Sequence, residues 1–429
     1  MQKLSSYLLV IILLPVGKSF AQVDTQSISR ALRNYITVLA SDSMQGRGYV
    51  NGGRERAAAF IQGRFAALNM QPVAGKDSYL QAYSFPVNTF PGKMTLSIND
   101  HLLKAGDDYL VDAASPSCAI NGLKVKKVAL GKVRNSAKWQ RMLERFDGSK
   151  VWYLENYDML CKTLGIRPHD FTAQLPKGCY IIPEKAKLTW TVSRTQNKAT
   201  VFYVKKESLP RHIKTVNAEV LAKLEPESAN ANIVAEIPGT IKDSFIVFSA
   251  HYDHLGKMGE QAIFPGASDN ASGTAMMLYL ASYYATHKQK YSMLFIAFSG
   301  EEAGLLGSQF FVSHPLVPLG SIKFLTNIDI MGNANNGVTV VNATEYPAQF
   351  KLLTDINEEH KYLQAVKSRG KAANSDHYYF SEAGVPAFFM YSNGGQGHYH
   401  DIFDTADEIS LFDVTGVARL LIDFVNALN

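Results

Sequence analysis

Hydrophobic positions repeat with two different periods along the chain. Apolar residues recur every three or four positions from Ile28 to Leu39 and again from Ala57 to Leu68, a spacing that predicts two amphipathic helices. Between them lies a glycine-rich stretch, SDSMQGRGYVNGG at residues 41–53. We interpret this stretch as a surface turn between the two helices.

From about residue 94 the hydrophobic period changes to two, which is typical of strands. Apolar and polar residues alternate from Met94 to Ile98, from Leu188 to Val192 and from Val216 to Leu224. One helical pattern, from Ala137 to Phe146, interrupts this region. We therefore predict a β-rich inserted accessory domain over residues 94–228, which could narrow or cap a neighbouring cleft.

After Asn232 the pattern becomes strand, glycine-rich turn and helix, repeated, as in α/β layered sheets. Four apolar runs have the length of a strand, and polar residues capable of chemistry follow each one. These runs are Ser244 to Ser249, Met293 to Phe298, Ile322 to Ile328 and Val385 to Met390. Ligands of open α/β sheets bind beyond the carboxyl ends of the strands. We therefore expect His, Asp and Glu side chains from four separate segments to meet at one sheet edge.

Composition excludes several classes of protein. The chain has 429 residues, of which 46% are hydrophobic and 19% are charged, so disordered, collagen-like and coiled-coil classes do not fit. The net charge of +5 is small for a nucleic-acid-binding chain of this length. We interpret its one basic cluster as a solvated loop or strand edge and predict no nucleic-acid partner; its members are Lys124, Lys126, Lys127, Lys132 and Arg134.

The first residues have the pattern of a secretion signal. Lys3 gives a positive start, Tyr7 to Val16 form an apolar run, and Ser19-Phe20-Ala21 is a small-x-small cleavage site. The run is too short to span a bilayer, so we predict cleavage after Ala21, a secreted or periplasmic protein and no stable membrane insertion. The three cysteines allow one disulfide at most, and Cys161 and Cys179 are the closer pair.

Two imidazoles and three carboxylates stand out in the segments that follow the apolar runs: His251, Asp269, Glu302, Asp329 and His400. A single loop histidine, or an acidic pair such as Glu301-Glu302, is an ordinary solvated feature. The joint pattern, however, is a donor set that divalent ions take. A catalytic zinc keeps about three protein ligands and one open position. Five ligands therefore exceed one ion and suit two ions that share a bridging carboxylate.

Six ordered motifs resemble those of the secreted, co-catalytic two-zinc aminopeptidases, a family that includes bacterial leucyl-type aminopeptidases and, more distantly, glutamate carboxypeptidase and glutaminyl cyclase. The motifs are FSAHYDHLG, FPGASDNASG, FSGEEAGLLGS, NIDIMG, SDHYYFSEAGVPA and YHDIFDT. The resemblance covers residues 232–429 strongly and residues 25–92 weakly. It implies an α/β fold of the zinc exopeptidase type, a three-layer sandwich with a mixed central β-sheet flanked by helices.

The resemblance also implies roles for individual residues. His251 and Asp329 would bind one zinc ion, Glu302 and His400 would bind the other, and Asp269 would bridge both. Glu301 falls on the general base, which takes a proton from the attacking water and returns one to the leaving amine. In relatives the peptide bond after the bridging aspartate is cis. We therefore expect a cis Asp269-Asn270 bond, with the Asp269 carboxylate between His251 and His400.

Other residues near the motifs receive supporting roles. Asp253 follows His251 by two positions, shares its face on an extended strand and resembles the carboxylate that accepts the imidazole N–H. Tyr399 matches a tyrosine that hydrogen-bonds the tetrahedral intermediate in some relatives, the alternative being a packed aromatic side chain. His254 and His398 neighbour ligands but are not assigned as ligands. We expect three further residues to line or brace the site: Asp376, His377 and Asp404.

The predicted organisation is a signal peptide at residues 1–21, a peptidase domain at 22–93 and 229–429, and the inserted domain at 94–228. The predicted function is that of an exported metallo-exopeptidase with two Zn²⁺ per chain. Its reaction would be the hydrolysis of the N-terminal bond of peptides with a free N-terminus, by water activated between the ions. Alternatives on the same fold are a one-zinc glutaminyl cyclase, a carboxypeptidase or dipeptidase, and a non-catalytic binding protein.

Overall fold

The computed structural model describes residues 25–73, 75–395 and 397–428. The α-helices of this part of the chain, numbered α1 to α10 in chain order, are Thr25–Leu39, Gly53–Ala67, Ser136–Leu143, Tyr157–Leu164, Pro168–Gln174, Gly273–Tyr284, Leu306–Ser313, Pro347–His360, His377–Glu382 and Val414–Leu428. The predicted signal peptide lies outside the described residues. Among those that are described, no helix has both the length and the apolar composition needed to cross a membrane.

The strands, numbered β1 to β18 in the same way, are Leu80–Thr89, Met94–Ile98, His101–Leu102, Tyr109–Val111, Cys118–Ala129, Val151–Glu155, Gly178–Glu184, Ala199–Lys205, Thr215–Val220, Lys223–Ile237, Ile241–His251, Gly256–Met258, Ala262–Phe264, Tyr291–Phe298, Ile322–Ile328, Val338–Val341, Val366–Ser368 and Ala387–Ser392. Most of them join one of two larger sheets.

The central sheet is mixed and has the strand order β1-β10-β14-β11-β15-β18-β16-β17. Its four middle strands, β14, β11, β15 and β18, run parallel to one another and contain the four predicted apolar runs. Helices cover both faces of these strands, which explains why their sequences are continuously apolar instead of alternating. Since the strands are parallel, their carboxyl ends meet at one edge of the sheet.

Helices form the outer two layers. One apolar cluster packs α1, α2, α6 and α10 against one face of the sheet, and another packs α7 and α9 against the opposite face. In α1 the buried positions are Ile28, Leu32, Ile36 and Leu39, and each such side chain contributes about 1.5–3 kcal/mol on burial. The predicted three-layer α/β sandwich is thus confirmed.

A second sheet, of order β3-β2-β9-β5-β6-β7-β8-β4, occupies the region predicted to be β-rich. Helix α3, at Ser136–Leu143, lies where a helix is predicted in that region. The predicted boundary at residue 228 falls inside β10, which pairs with β1 on both sides of it. The division into domains at residues 93 and 228 stays a prediction.

The second sheet is fixed against the part of the chain that follows β11. Leu255, Met258 and Phe264 belong to the same apolar cluster as residues of β2, β4 and β7. The indole ring of Trp190 stacks on Phe264 with ring centroids 4.8 Å apart. This shared core places the second sheet next to the edge where the parallel strands end.

The strand predicted from Leu188 to Val192 is not formed, since residues 185–198 are irregular. Leu188 and Trp190 are nevertheless buried, so the alternation of apolar side chains is real. The main chain of Trp190 bonds to His400 and not to a neighbouring strand. The prediction failed because period two reports which side chains are buried, and not where the main-chain hydrogen bonds go.

The loop at residues 41–53 is not the surface turn that its glycines suggest. Met44, Gly46 and Arg47 are buried, and Gly46 lies so close to Gly256 and Phe264 that an added Cβ would come within 2.4 Å of their main-chain oxygens. Glycine here allows the main chain to approach the segment from Gly256 to Phe264 closely, because it has no side chain.

The three cysteines carry free thiols. Cys179 packs in the cluster that faces Phe264, whereas Cys161 packs in the cluster on the other side of the second sheet. The thiol of Cys179 neighbours that of Cys118 instead. Cys161 and Cys179 are therefore not the spatially closer pair, although they are closer in the sequence.

Candidate metal centre

The parallel strands deliver the predicted ligands to one edge of the central sheet. His251 is the last residue of β11, and Asp329 directly follows β15. Glu301 and Glu302 follow β14 after two residues. His400 comes from the loop after β18. Each segment turns away at its strand end, so its side chains point into a common space beyond the sheet.

Asp269 lies at the centre of this group. Its Oδ1 is 3.4 Å from Nε2 of His251, and its Oδ2 is 3.2 Å from Nε2 of His400. Nε2 of His251 is also 3.3 Å from Oδ1 of Asp329, and Nε2 of His400 is 3.2 Å from Oε2 of Glu302. The five residues thus form two adjoining donor groups that share one carboxylate.

The main chain around Asp269 is held on several sides. Its peptide bond with Asn270 is cis, as predicted. The Asp404 carboxylate accepts hydrogen bonds from the N–H groups of Ser268 and Asp269 at 2.8 and 3.1 Å. Gly266, with φ of +59°, leaves no room for a side chain beside Asp269 and His254. Asp404 therefore braces the site, as expected from its position after His400.

Arg47 is a brace that the sequence did not suggest. Its guanidinium is fully buried and donates to the main-chain oxygens of Tyr252, Leu39, Pro265, Gly266 and Asp269. The oxygen of Leu39 lies at the end of α1, that of Tyr252 follows the strand end at His251, and the other three belong to the turn that carries Asp269. Arg47 therefore joins the N-terminal segment to both ligand-bearing segments.

The imidazole of His251 is oriented by Asp253, but not through the predicted atom. Nδ1 of His251 lies 3.1 Å from the main-chain oxygen of Asp253 and 3.8 Å from its carboxylate, which is too far for a hydrogen bond. The carboxylate instead accepts hydrogen bonds from the hydroxyl of Tyr49 at 2.7 Å and from the N–H of Glu301 at 3.3 Å. Asp253 thus positions both His251 and Glu301.

The two adjacent glutamates have different surroundings. Glu302 accepts a hydrogen bond from Nδ1 of His254 at 2.6 Å while its other oxygen faces His400. Glu301 is 4.0 Å from Nε2 of His251. Burial raises the pKa of Glu301 well above its ordinary value, and although His251 opposes this, Glu302 and Asp376 add to it. Glu301 is thus the carboxyl group of the pair that is disposed to carry a proton.

The donor set fits divalent cations on the chemistry of its atoms. Oδ1 of Asp329 is buried and has no hydrogen-bond partner among the described residues, yet it faces His251. Burial lowers the pKa of His400, but Glu302 and Asp269 outweigh this effect and raise it to about 11. Such a shift reports a strongly negative buried site, which bound cations would neutralise.

The histidines that are not assigned as ligands lie outside the donor groups. His254 bonds to Glu302, and its ring meets that of His400 edge-on at 5.7 Å. Nδ1 of His398 lies 3.4 Å from Asp401. Asp376 and His377 are fully buried, and burial raises the pKa of Asp376 to about 7.

A cavity of about 160 Å³ opens beside the donor groups. Asp269, Tyr399, Ile330, Ile409 and Gly394 line it together with several polar residues. The ring of Tyr399 stacks on His400, with centroids 3.8 Å apart, and is 52% exposed. Tyr399 thus borders both the cavity and the ligands, instead of being packed inside the protein.

The fold and the site together define an α/β protein with a donor set suited to divalent cations at the carboxyl edge of its sheet. Residues 232–425 match the model of peptidase family M28. This match confirms the family resemblance predicted from the motifs, and the matched segment contains all five predicted metal ligands and Glu301.

Curated relatives are similar over part of the chain. A probable zinc metalloprotease of Pyrenophora tritici-repentis is 37% identical over 112 residues, which are 25% of this chain and 26% of that protein. An aminopeptidase of Bacillus subtilis is 28% identical over 219 residues, which are 48% of this chain and 46% of that protein. The matched region therefore spans only about a quarter to a half of these two relatives.

A solved structure is similar over nearly the whole chain. A zinc aminopeptidase from Bacillus subtilis superposes with a TM-score of 0.65 at 20% identity, covering 93% of this chain and 94% of that one. At this identity the likeness shows the fold.

Proposed function

We propose that the chain is a zinc-dependent aminopeptidase with two zinc ions. The observation that carries the proposal is the position of Asp269, whose two oxygens face Nε2 of His251 and Nε2 of His400. His251 and Asp329 would hold one ion, and Glu302 and His400 the other. Bound zinc would lower the pKa of a water molecule and polarise the carbonyl group of the substrate.

Glu301 is the proposed general base. Its main-chain N–H is fixed by Asp253, and its carboxylate lies 4.0 Å from Nε2 of His251, in one group of donor atoms with His251 and Asp329. A carboxyl group whose pKa is raised by burial can take a proton from water and then give it to the leaving amine. The carboxylate oxygens of Glu302 are engaged by His254 and face His400, so Glu302 is not free to carry the proton.

The substrate is proposed to enter with its N-terminal residue first. The support is the similarity to aminopeptidases, among them the Bacillus subtilis aminopeptidase that is 28% identical over 219 residues. The neighbouring cavity, with Ile330 and Ile409 in its wall, would take the first side chain. Tyr399, at the border between cavity and ligands, would donate a hydrogen bond to the developing oxyanion.

The proposal is tested by comparing matched substrates with the purified protein, while metal content is measured in parallel. Leucine p-nitroanilide and a free leucyl peptide should be cleaved, whereas their N-acetylated forms should not. A chelator should abolish cleavage, and zinc or cobalt should restore it. Release of residues from the C-terminus would favour a carboxypeptidase, and cyclisation of an N-terminal glutamine without hydrolysis would favour a glutaminyl cyclase.

We also propose that the protein is exported. The support is the pattern of Lys3, the apolar run from Tyr7 to Val16 and the Ser19-Phe20-Ala21 site. N-terminal sequencing of the protein recovered from outside the cytoplasm of a bacterial host should begin at Gln22. Recovery of the uncleaved chain in the cytoplasm would contradict export.

A further inference from the structure

The irregular segment at residues 187–190 joins the second sheet to the loop that carries His400. It lies between β7 and β8, which belong to that sheet. Nζ of Lys187 donates to the main-chain oxygen of Tyr399 at 2.9 Å and forms an ion pair with Asp401 at 2.7 Å. The N–H of Trp190 donates to the main-chain oxygen of His400 at 3.0 Å. Three consecutive residues around one metal ligand are thus held by this one segment.

The same segment sets the orientation of the His400 ring. Nδ1 of His400 lies 2.9 Å from the main-chain oxygen of Trp190, and a carbonyl oxygen can only accept. Nδ1 therefore carries the hydrogen, which leaves Nε2, on the side of Asp269 and Glu302, to offer its lone pair to a bound ion. A partner of this kind fixes the tautomer and the ring direction of a metal-binding histidine.

The His400 loop needs such support because its own backbone is unfavourable. His400 has φ of +58°, a left-handed conformation that residues other than glycine adopt at a cost. The side chain of Asp401 is only 7% exposed, and Lys187 supplies the cation that offsets the burial of its charge.

The 187–190 segment is itself anchored to the second sheet. The indole N–H of Trp190 donates to the main-chain oxygen of Val111, in β4, at 2.8 Å, and its ring stacks on Phe264. Leu188 is buried in the same apolar cluster. The second sheet therefore helps to fix the position of His400, in addition to the central sheet, which carries other predicted ligands.

We propose that Lys187 and the main chain of Trp190 are positioning groups of the metal centre, through which the second sheet completes the site of the ion held by His400 and Glu302. This inference rests on the ligand assignment of the proposed function. It gives the inserted region a role in metal affinity, in addition to any narrowing of the cleft.

The test measures zinc binding to the full chain by competition with a chromogenic chelator, together with the visible spectrum of the cobalt-loaded protein. Lys187→Met should lower the affinity for one of the two ions by about tenfold or more and leave the affinity for the other unchanged. It should also alter the cobalt spectrum of the site whose affinity falls. Lys187→Arg, which keeps the charge and the donors, should restore affinity to within about threefold. The matched control is Lys185→Met, two residues earlier on an exposed side chain, which should bind both ions as the wild type does.

Asp401→Asn is a second variant, which removes the ion pair and keeps the size of the side chain. It should lower the affinity for the same ion. An equal loss of affinity for both ions in Lys187→Met, or no loss of affinity in either variant, would overturn the inference. Metal binding is measured without a peptide, so a protein that binds two zinc ions but cleaves no substrate would contradict the proposed function and leave this test intact.

Discussion

Arg47 and Asp269 are joined by a hydrogen bond, from Nη2 to the main-chain oxygen at 3.2 Å, across 222 residues of chain. Arg47 makes four further hydrogen bonds to main-chain oxygens of Leu39, Tyr252, Pro265 and Gly266. A buried guanidinium can serve so many acceptors because its donors point in fixed and different directions. The segment that precedes the second sheet thereby supports the candidate metal centre.

Replacing Arg47 should be costly for stability. Arg47→Met removes a donor from five main-chain oxygens, of which only that of Gly266 has a second main-chain donor among the described residues, the N–H of Ala271, and we expect the free energy of unfolding to fall by about 3 kcal/mol or more. Arg47→Lys should recover only part of this loss, since one ammonium group cannot reach all five oxygens. Urea unfolding checks both values. Arg56→Met is the control, because Arg56 is exposed and its guanidinium donates to the main-chain oxygens of Ser43 and Asn51. Equal losses at the two positions would refute the assigned role of Arg47.

Replacing Glu301 and Glu302 by glutamine, one at a time, should have different effects on catalysis and on metal binding. Glu301→Gln should keep both metal ions and lower kcat by about a hundredfold or more, since it removes the proton carrier and no ligand. Glu302→Gln should weaken one ion, because an amide oxygen is a poorer ligand than a carboxylate. Metal analysis after dialysis, together with kcat, distinguishes the two. If both variants lose metal to the same extent, Glu301 is a ligand and not the base.

Tyr399 offers a test of transition-state binding. Tyr399→Phe keeps the ring that stacks on His400 but removes the hydroxyl group. If this hydroxyl stabilises the oxyanion, kcat should fall by about a hundredfold with little change in KM or in metal content. A kcat equal to that of the wild type would mean that the ring serves only to pack against His400.

His377 should make stability depend on pH below neutrality. Burial lowers the pKa of His377 from 6.5 to about 4, so between these values the unfolded chain binds a proton that the folded chain does not. The free energy of unfolding therefore falls as the pH drops from about 6.5 to about 4, and this one group should account for a loss of about 2 kcal/mol between pH 7 and pH 5.

Urea unfolding of His377→Gln at pH 7 and pH 5 checks this expectation. The variant should lose about 2 kcal/mol less than the wild type over that interval, whatever its stability at pH 7. His101→Gln, at an exposed position in β3, is the control and should follow the wild type. Parallel pH profiles for His377→Gln and the wild type would show that His377 is not kept neutral in the folded protein.

The local pattern of the chain predicted the central sheet and the donor set. A strand buried on both faces must be continuously apolar, and four such runs mark β11, β14, β15 and β18. In parallel strands the carboxyl ends share one edge, so residues that follow different runs must meet there. For this reason His251, Asp269, Glu302, Asp329 and His400 could be grouped before their distances were known.

Only the tertiary structure decided which atoms support those ligands. Arg47 lies in a stretch typical of a turn, and its burial depends on main-chain oxygens more than 200 residues away. The alternation at Leu188 to Val192 correctly indicated buried side chains, but the main chain there bonds to His400 and not to a strand. Sequence periodicity reports the burial of side chains, because burial follows local geometry. The partner of a main-chain N–H or C=O is set by how distant segments pack, and that information is absent from any local pattern.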